Sequence, residues 1–338
     1  MNATASSGRG AVTLHDVARE AGVSLATASR VLNGSTRKVA DSYRVRVEAA
    51  AEQLGYTANL SAQATARGSA AIVALLVSGI TDPYVGHVAA GVATGAHETG
   101  MLVTIAITGR DPERAARLVR AIRGQRPRGL LLAGWMVPNL RSELDAFTQT
   151  GGKVVTVGPN DAGYDVVTVD NVGGGRHLAR ELAALGYRDA VVVATDESNL
   201  VYEDRVTGFT EGFEAGGGTV RRVVRAELSR EGAYRAAEQL VADGLDEGTV
   251  VFGVSDVMAI GVASAVRDAG RQVGRDIAVA GFDDIAPARD IGPGLTTVHV
   301  PLEDLGYRGL RRIVDPEGEL PEPSALEVVV RPSTPPRV

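Results

Sequence analysis

Near the amino end of the chain, Leu14, Val17, Ala18 and Ala21 recur at the i, i+3, i+4, i+7 spacing of a helix with one buried face. Thr13 stands where an N-cap belongs and Gly22 where the helix must stop. Ser24 caps a second helix running through Leu25 to about Leu32, whose Ala28, Val31 and Leu32 pack back on the first. A third amphipathic stretch, Asp41 to Leu54, brings Val47, Ala50 and Leu54 to the same core and ends at Gly55. The pattern predicts an all-α head with a tight glycine turn between its first two helices.

From residue 70 the pattern changes. Short apolar runs occur at Ile72–Val77, Leu102–Ile107, Gly129–Ala133, Lys153–Val157, Ala190–Ala194, Thr249–Gly253 and Ile277–Gly281. Helical periodicity fills several of the gaps: Val85, Val88, Ala89, Val92 and Ala96 share one face, and further helices are expected over Asp111–Arg123, Arg176–Leu185, Tyr234–Leu240 and Met258–Ala269. Strands alternating with helices imply parallel sheets covered on both faces. So many elements exceed one small sheet, and two doubly wound α/β subdomains are the economical reading.

Composition narrows the choice of chemistry. A chain of 338 residues has room for more than one core. It contains no cysteine, which removes disulfides, thiolate nucleophiles and Cys-built metal sites. The five histidines, His15, His87, His97, His177 and His299, show no metal-ligand spacing, and neither a metal nor a cofactor is expected. The longest apolar run, Ala70–Val77, is too short to span a bilayer, and residues 1–13 carry no apolar stretch of secretory-signal length. A cytoplasmic protein without membrane association is expected. Net charge is −6, but residues 1–69 hold eight basic against five acidic side chains, a basic head on an acidic body that suits a localised polyanion site.

In the head, Leu25, Ala26, Ser29 and Arg30 face outward from the second helix, where a major-groove reader carries its base contacts, and Arg30 can make a bidentate guanine contact. Thr13, Ser24, Thr27, Ser29 and Asn33 offer short donors for phosphate oxygens; as caps and solvated surface they would read the same way. Two enzyme signatures fail. Gly173-Gly174-Gly175 is not G-x-G-x-x-G and no P-loop lysine follows, so a helix start and a close contact fit it better. Gly253-Val254-Ser255-Asp256-Val257 lacks the last glycine of a nucleophile elbow.

The run Val12–Asn33, VTLHDVAREAGVSLATASRVLN, followed by Leu54–Asn59, closely resembles the headpiece of the lactose-repressor (LacI/GalR) family of bacterial transcription regulators. Later landmarks keep the family's order: Asp82-Pro83-Tyr84, Val169-Asp170-Asn171, Arg205 with Gly208-Phe209, Ser255-Asp256 with Met258-Ala259, Gly281-Phe282-Asp283-Asp284, and Leu295-Thr296-Thr297-Val298. The resemblance implies a helix-turn-helix headpiece (12–58) after a flexible start (1–11), and a hinge (59–69). Behind them comes a periplasmic-binding-protein-like core (70–331), with an N-lobe of about 70–168 and 298–325, a C-lobe of about 169–297 and 326–331, and a tail (332–338). It adds Leu14, Asn59, Ala62 and Thr65 to the DNA-facing set. Thr65 stands where the family places a leucine wedge, so a shallower operator kink is expected.

For the cleft between the lobes the resemblance points to Arg205 and Asp283 as effector ligands, with Asp82, Tyr84, Asp170, Asn199, Leu228 and Ser255 around them. Trp135 is a candidate ring platform, although it serves equally well as core, and Asp283 and Asp284 could instead be structural caps. Ser255 replaces an asparagine of several relatives, so no sugar specificity carries over. The implied protein is a sequence-specific regulator, a homodimer on a roughly palindromic operator, whose affinity is set by a sugar or related metabolite. The missing leucine heptad in 332–338 speaks against a coiled-coil tetramer. A solute-binding transport component shares the two-lobed core, but the headpiece and the lack of an export signal speak against it.

Overall fold

The structure is a computed structural model. It describes residues 12–32, 39–57, 70–109, 111–134, 140–160, 162–197, 199–320, 323 and 325–337. Asn33, Asn59, Ala62, Thr65 and Trp135, together with the 59–69 segment, lie outside the described residues. The chain divides into two compact units, residues 1–71 and 72–338.

In the first unit, α1 (Leu14–Glu20), α2 (Leu25–Leu32) and α3 (Asp41–Leu54) enclose a core of Val17, Ala18, Ala21, Ala28, Val47 and Ala50. Thr13 and Asp16 form a reciprocal capping box, each side chain bonding the other's backbone N–H. The α1–α2 turn passes through Gly22 at φ +63°, a left-handed conformation that costs a glycine nothing.

The second unit holds two parallel sheets. The first has the strand order β2-β1-β3-β4-β5, built from β1 (Ala70–Val77), β2 (Leu102–Ile107), β3 (Pro127–Ala133), β4 (Lys153–Val157) and β5 (Asp165–Val167). Its crossover helices are α4 (Pro83–Thr99), α5 (Pro112–Gly124) and α6 (Arg141–Gln149). After α7 (Asn171–Ala184) the chain builds the second sheet, ordered β7-β6-β8-β9, from β6 (Asp189–Thr195), β7 (Thr219–Ala226), β8 (Val250–Gly253) and β9 (Ala278–Ala280). Helices α8 (Leu200–Ala215), α9 (Arg230–Ala242) and α10 (Asp256–Asp268) separate those strands, and the one-turn α11 (Pro287–Asp290) follows β9. Strands β10 (Thr297–His299) and β11 (Glu327–Val329) form an antiparallel pair. Between them α12 (Leu302–Val314) returns to pack on α4 and on β3 and β4 of the first sheet.

All seven expected strands are present within a residue or two of their expected ends. Strands β5, β7 and β10 and helices α6, α8 and α12 were not anticipated. One assignment is corrected. Residues 332–337, expected as a tail beyond the core, are built into the second lobe. Val279 N donates to Ser333 O (3.1 Å), Ser333 Oγ to Val279 O (2.6 Å) and Arg337 N to Leu185 O (2.7 Å), and Ser333 and Thr334 are fully buried. The segment enters through a turn, Thr334 N donating to Arg331 O (3.1 Å), that brings Ser333 against β9.

Candidate functional site

Strand ends that turn directly into helices need a short polar side chain to satisfy the first helical N–H groups, and four of the nine sequence-predicted cleft residues do this. Asp82 accepts from Tyr84 N (3.0 Å), Asp170 from Gly173 N (2.7 Å), Asn199 from Val201 N (3.0 Å) and Ser255 from Met258 N (3.4 Å). For Asp170 and Ser255 capping is the role the structure displays, since neither lines the cavities described below.

Arg205 reaches the centre of the second unit because α7 and α8 touch through glycine. A Cβ on Gly208 would lie 2.0 Å from Val172 O, and one on Gly175 2.5 Å from Arg205 O. At that separation Arg205, only 3 % exposed, donates from Nε to Asn171 Oδ1 (3.0 Å), from Nη1 to Val254 O (2.9 Å) and from Nη2 to Asp283 Oδ1 (2.8 Å). Its guanidinium lies over the Phe282 ring, 3.9 Å from the centroid. One cation thus joins the start of α7, the end of β8 and the turn after β9.

Asp283 and Asp284 both adopt positive φ, 118° and 54°. Two consecutive non-glycine residues there store strain, and they aim their carboxylates at different partners. Asp283 meets Arg205. Asp284 accepts from Arg331 Nη2 (2.5 Å) and Arg289 Nη2 (3.3 Å) and lies 3.1 Å from His299 Nδ1. Asp283 lines one of the small cavities described below, while Asp284 is held by Arg331, Arg289 and His299.

Burial pushes the Asp283 carboxyl up to about 6 even though the Arg205 charge and hydrogen bond oppose it. The Tyr84 hydroxyl is raised by burial and by the Asp283 charge, and that of Tyr202 by burial in spite of Arg205. Both phenols stay neutral. Asp284 lies below its ordinary value: burial would raise it, but Arg331, His299 and Arg289 outweigh that.

Two small cavities, each about 20 Å³, flank this cluster. One is lined by Tyr84, Gly134, Val157, Asn199, Val201, Tyr202, Arg205 and Asp283. The other shares Tyr84, Val157, Val201 and Arg205 with it and is completed by residues that include Thr168, Asn171 and Val300. Each has room for about one water. A larger space of about 580 Å³ opens beside them, with Ser78, Thr81, Asp82 and Pro83 from the first lobe facing Leu228, Ser229, Val257, Ile260 and Ile285 from the second. The candidates therefore divide between Tyr84, Asn199, Arg205 and Asp283 at the inner site and Asp82 and Leu228 at the outer one. Tyr202, Asn171, Phe282 and Val254 were not anticipated. Asn171 sits inside the quoted Val169-Asp170-Asn171 landmark, and Tyr202 lies three residues before Arg205 on the same helix, the spacing that puts two side chains side by side.

In the first unit, Arg30, Ala26 and Leu25 are exposed on α2, Leu25 by 39 %. Ser24 Oγ accepts from Thr27 N (3.1 Å), and the Thr13 hydroxyl donates to Asp16 Oδ2 (2.7 Å). Ser29 and Thr27 are half-buried, and Leu14 packs against the core.

Residues 13–59 match the family model of bacterial regulatory proteins of the lacI family, and residues 179–334 that of the periplasmic binding protein-like domain. The transcriptional regulator CelR of Thermobifida fusca is 31% identical over 93% of this chain and 94% of its own. The chain belongs to the LacI family. Another relative, the HTH-type transcriptional regulator DegA of Bacillus subtilis (strain 168), is 28% identical over 87% of this chain and 88% of its own. Among solved structures, the lac repressor dimer bound to operator and an anti-inducer superposes with TM-score 0.83 at 24% identity, covering 96% of this chain and all of that one. The CelR–cellobiose complex superposes with TM-score 0.68 at 29% identity, covering 95% of this chain and 99% of that one. The LacI-family chain is thus a transcriptional regulator and not an enzyme, with a LacI-type helix-turn-helix headpiece and a periplasmic-binding-protein-like effector domain. Among the described residues no helix is long and apolar enough to cross a membrane, and no cluster of His, Asp and Glu could hold a metal ion.

Proposed function

We propose that this regulator acts in the cytoplasm as a homodimer on a roughly palindromic operator, and that an uncharged polyhydroxylated effector bound by Arg205 and Asp283 sets its affinity. The observation that carries the effector reading is the buried Arg205–Asp283 pair, held by three separate elements and lining a small cavity that Tyr84, Gly134 and Val157 of the first lobe close from the other side. A guanidinium and a carboxylate held rigidly present donors and an acceptor to hydroxyl pairs from two sides. The charge balance favours a neutral ligand. Arg205 is already matched by Asp283, and the outer space carries Asp82, Glu227 and Glu231 against Arg230, a poor setting for a phosphate or carboxylate. The second-lobe wall of Leu228, Val257, Ile260 and Ile285 supplies an apolar face for a ring.

On the DNA side, two copies of α2 would enter successive major grooves. Arg30, Leu25 and Ala26 stand at the reading edge, and Asn33, Asn59, Ala62 and Thr65 belong to the same proposal. CelR is solved with cellobiose, and the lac repressor as a dimer on operator; both facts support the reading by analogy. Operator and effector then bias one another by the same factor, a coupling of typically about 1–3 kcal/mol.

A thermal-shift panel of neutral mono- and disaccharides, nucleosides and sugar phosphates tests the effector reading. A neutral sugar is expected to raise the melting temperature of the wild type and alter its retention on operator DNA. Asp283→Asn, which keeps the shape and one acceptor, is expected to lose most of that shift while remaining folded. A ligand that shifts both proteins equally, or a sugar phosphate as the strongest hit, would overturn it.

A further inference from the structure

Three of the landmark motifs meet at a residue to which the effector reading gives no role. Asp256, the first residue of α10, is fully buried. Its backbone N–H donates to Phe282 O (2.7 Å), its Oδ2 accepts from Ile285 N (2.9 Å), and its Oδ1 accepts from the Thr297 hydroxyl (2.6 Å). Thr297 Oγ in turn accepts from Asp284 N (3.4 Å). A Cβ on Gly281 would sit 2.2 Å from Asp256 Oδ1, so the carboxylate occupies the space beside the end of β9. The strained pair Asp283–Asp284 lies between the two points that Asp256 grips, Phe282 on one side and Ile285 on the other. Gly281 N and Asp283 N, donating to Thr296 O (2.8 Å) and Val298 O (2.9 Å), bind the same turn to the strand that leads back toward the first lobe.

We propose that Asp256 is the positioning residue of the effector site: it clamps the 282–285 turn so that Asp283 points at Arg205 in the cleft while Asp284 points at Arg331, Arg289 and His299 beside β10. The inference rests on the assignment of Arg205 and Asp283 as the effector pair, but it concerns how that pair is held. Two successive left-handed aspartates cannot persist unless the surroundings over-determine them, and Asp256 supplies an anchor at each end, its backbone N–H at Phe282 and its carboxylate at Ile285 and, through Thr297, at Asp284. A neutral side chain of the same shape could bond Ile285 N as well. The carboxylate adds acceptance from Thr297, and with it a fixed distance from α10 to β10. Burial and the nearby charges of Asp283 and Asp284 push the Asp256 carboxyl up to about 7 in spite of its two hydrogen bonds, as expected of a group kept for its contacts. Asp256 touches no ligand in this scheme and acts through Asp283.

The test needs no effector. In the full-length protein, the Arg205 Nε–H is protected by Asn171 and gives an NMR signal assignable by its loss in Arg205→Lys. Hydrogen exchange by mass spectrometry follows the 281–285 amides in parallel. Asp256→Ala is expected to speed exchange of the 281–285 amides and of the Arg205 Nε–H at least tenfold while β6 and β8 amides keep their protection. Asp256→Asn, retaining the acceptor for Ile285, is expected to restore most of it, and Thr297→Val to give an intermediate loss. Asp256→Ala with unchanged protection at Arg205 and 281–285 would overturn the proposal, as would Asp256→Asn as damaging as alanine. If Asp256→Ala does not fold, the Asp256→Asn and Thr297→Val pair decides: wild-type protection in Thr297→Val would also overturn it. If instead the effector assignment is wrong, Asp283→Asn binds its ligand normally while these exchange patterns stand, so the two failures are distinguishable.

Discussion

At the residue scale the second lobe carries two buried carboxylates that hold protons more tightly than an unfolded chain would. Asp283 titrates near 6 and Asp256 near 7, both pushed up chiefly by burial, against an ordinary 3.8. Between those limits the folded state binds more protons than the unfolded one, so the contribution of the pair is greatest at low pH and declines as pH rises through the folded values. Asp284 works in the opposite sense. Held below 3.8, it contributes stability that is present above that value and fades only in stronger acid. Lowering the pH from 7.5 to 5 is therefore expected to cost Asp256→Asn more melting temperature, or gain it less, than the wild type. A pH series of melting curves for the two proteins checks this, and parallel series would contradict it. Because Asp256 and Asp283 raise one another's proton affinity, the midpoint read from such curves belongs to the pair.

At the element scale the site depends on helices that approach without side chains between them. Gly208 faces the Val172 carbonyl at the α7–α8 contact, and Gly91 of α4 faces Glu303 O beneath α12, where an added Cβ would lie 1.8 Å away. Gly208→Ala must push two backbones apart and is expected to destabilise by about 1–3 kcal/mol or more, weakening the Arg205–Asn171 contact as well. Gly86→Ala on α4, whose Cβ meets open space, is expected to be neutral or to stabilise by up to about 1 kcal/mol. Chemical denaturation of the two variants separates the cases; equal effects would show that the helix contacts yield. Elements of this kind were legible where burial imposed a period. The strands expected at Ala190–Ala194 and Lys153–Val157 lie inside their sheets, the first wholly apolar and the second buried from Val154 onward. Strand β7, with the sequence TVRRVVRA, lies at a sheet edge with most of its side chains exposed, and its arginines concealed it. Helix α8 escaped notice because its buried face is lined by Arg205, Gly208 and Gly212 as much as by its two phenylalanines.

For the whole molecule, the sequence pattern was sufficient for two lobes and a helical head, since alternation of strand and helix and a pair of capped helices are local properties. The site was only half legible. Arg205 and Asp283 were expected and found together, whereas Asp82, Asp170, Asn199 and Ser255 drew attention as polar residues after strands, a position that helix capping requires whether or not a ligand is present. Tyr202, Asn171 and Asp256 matter through distances set by tertiary packing, and no spacing along the chain announces those. The carboxyl-terminal stretch taught the same lesson. With β9 at the outer end of its sheet, Ser333 and its neighbours occupy the rim that would otherwise offer unpaired amides and carbonyls to another molecule. A protein trimmed after Arg331 would bare that rim and is expected to invite intermolecular strand addition, so seven residues that resemble a dispensable appendage would guard the solubility of this regulator.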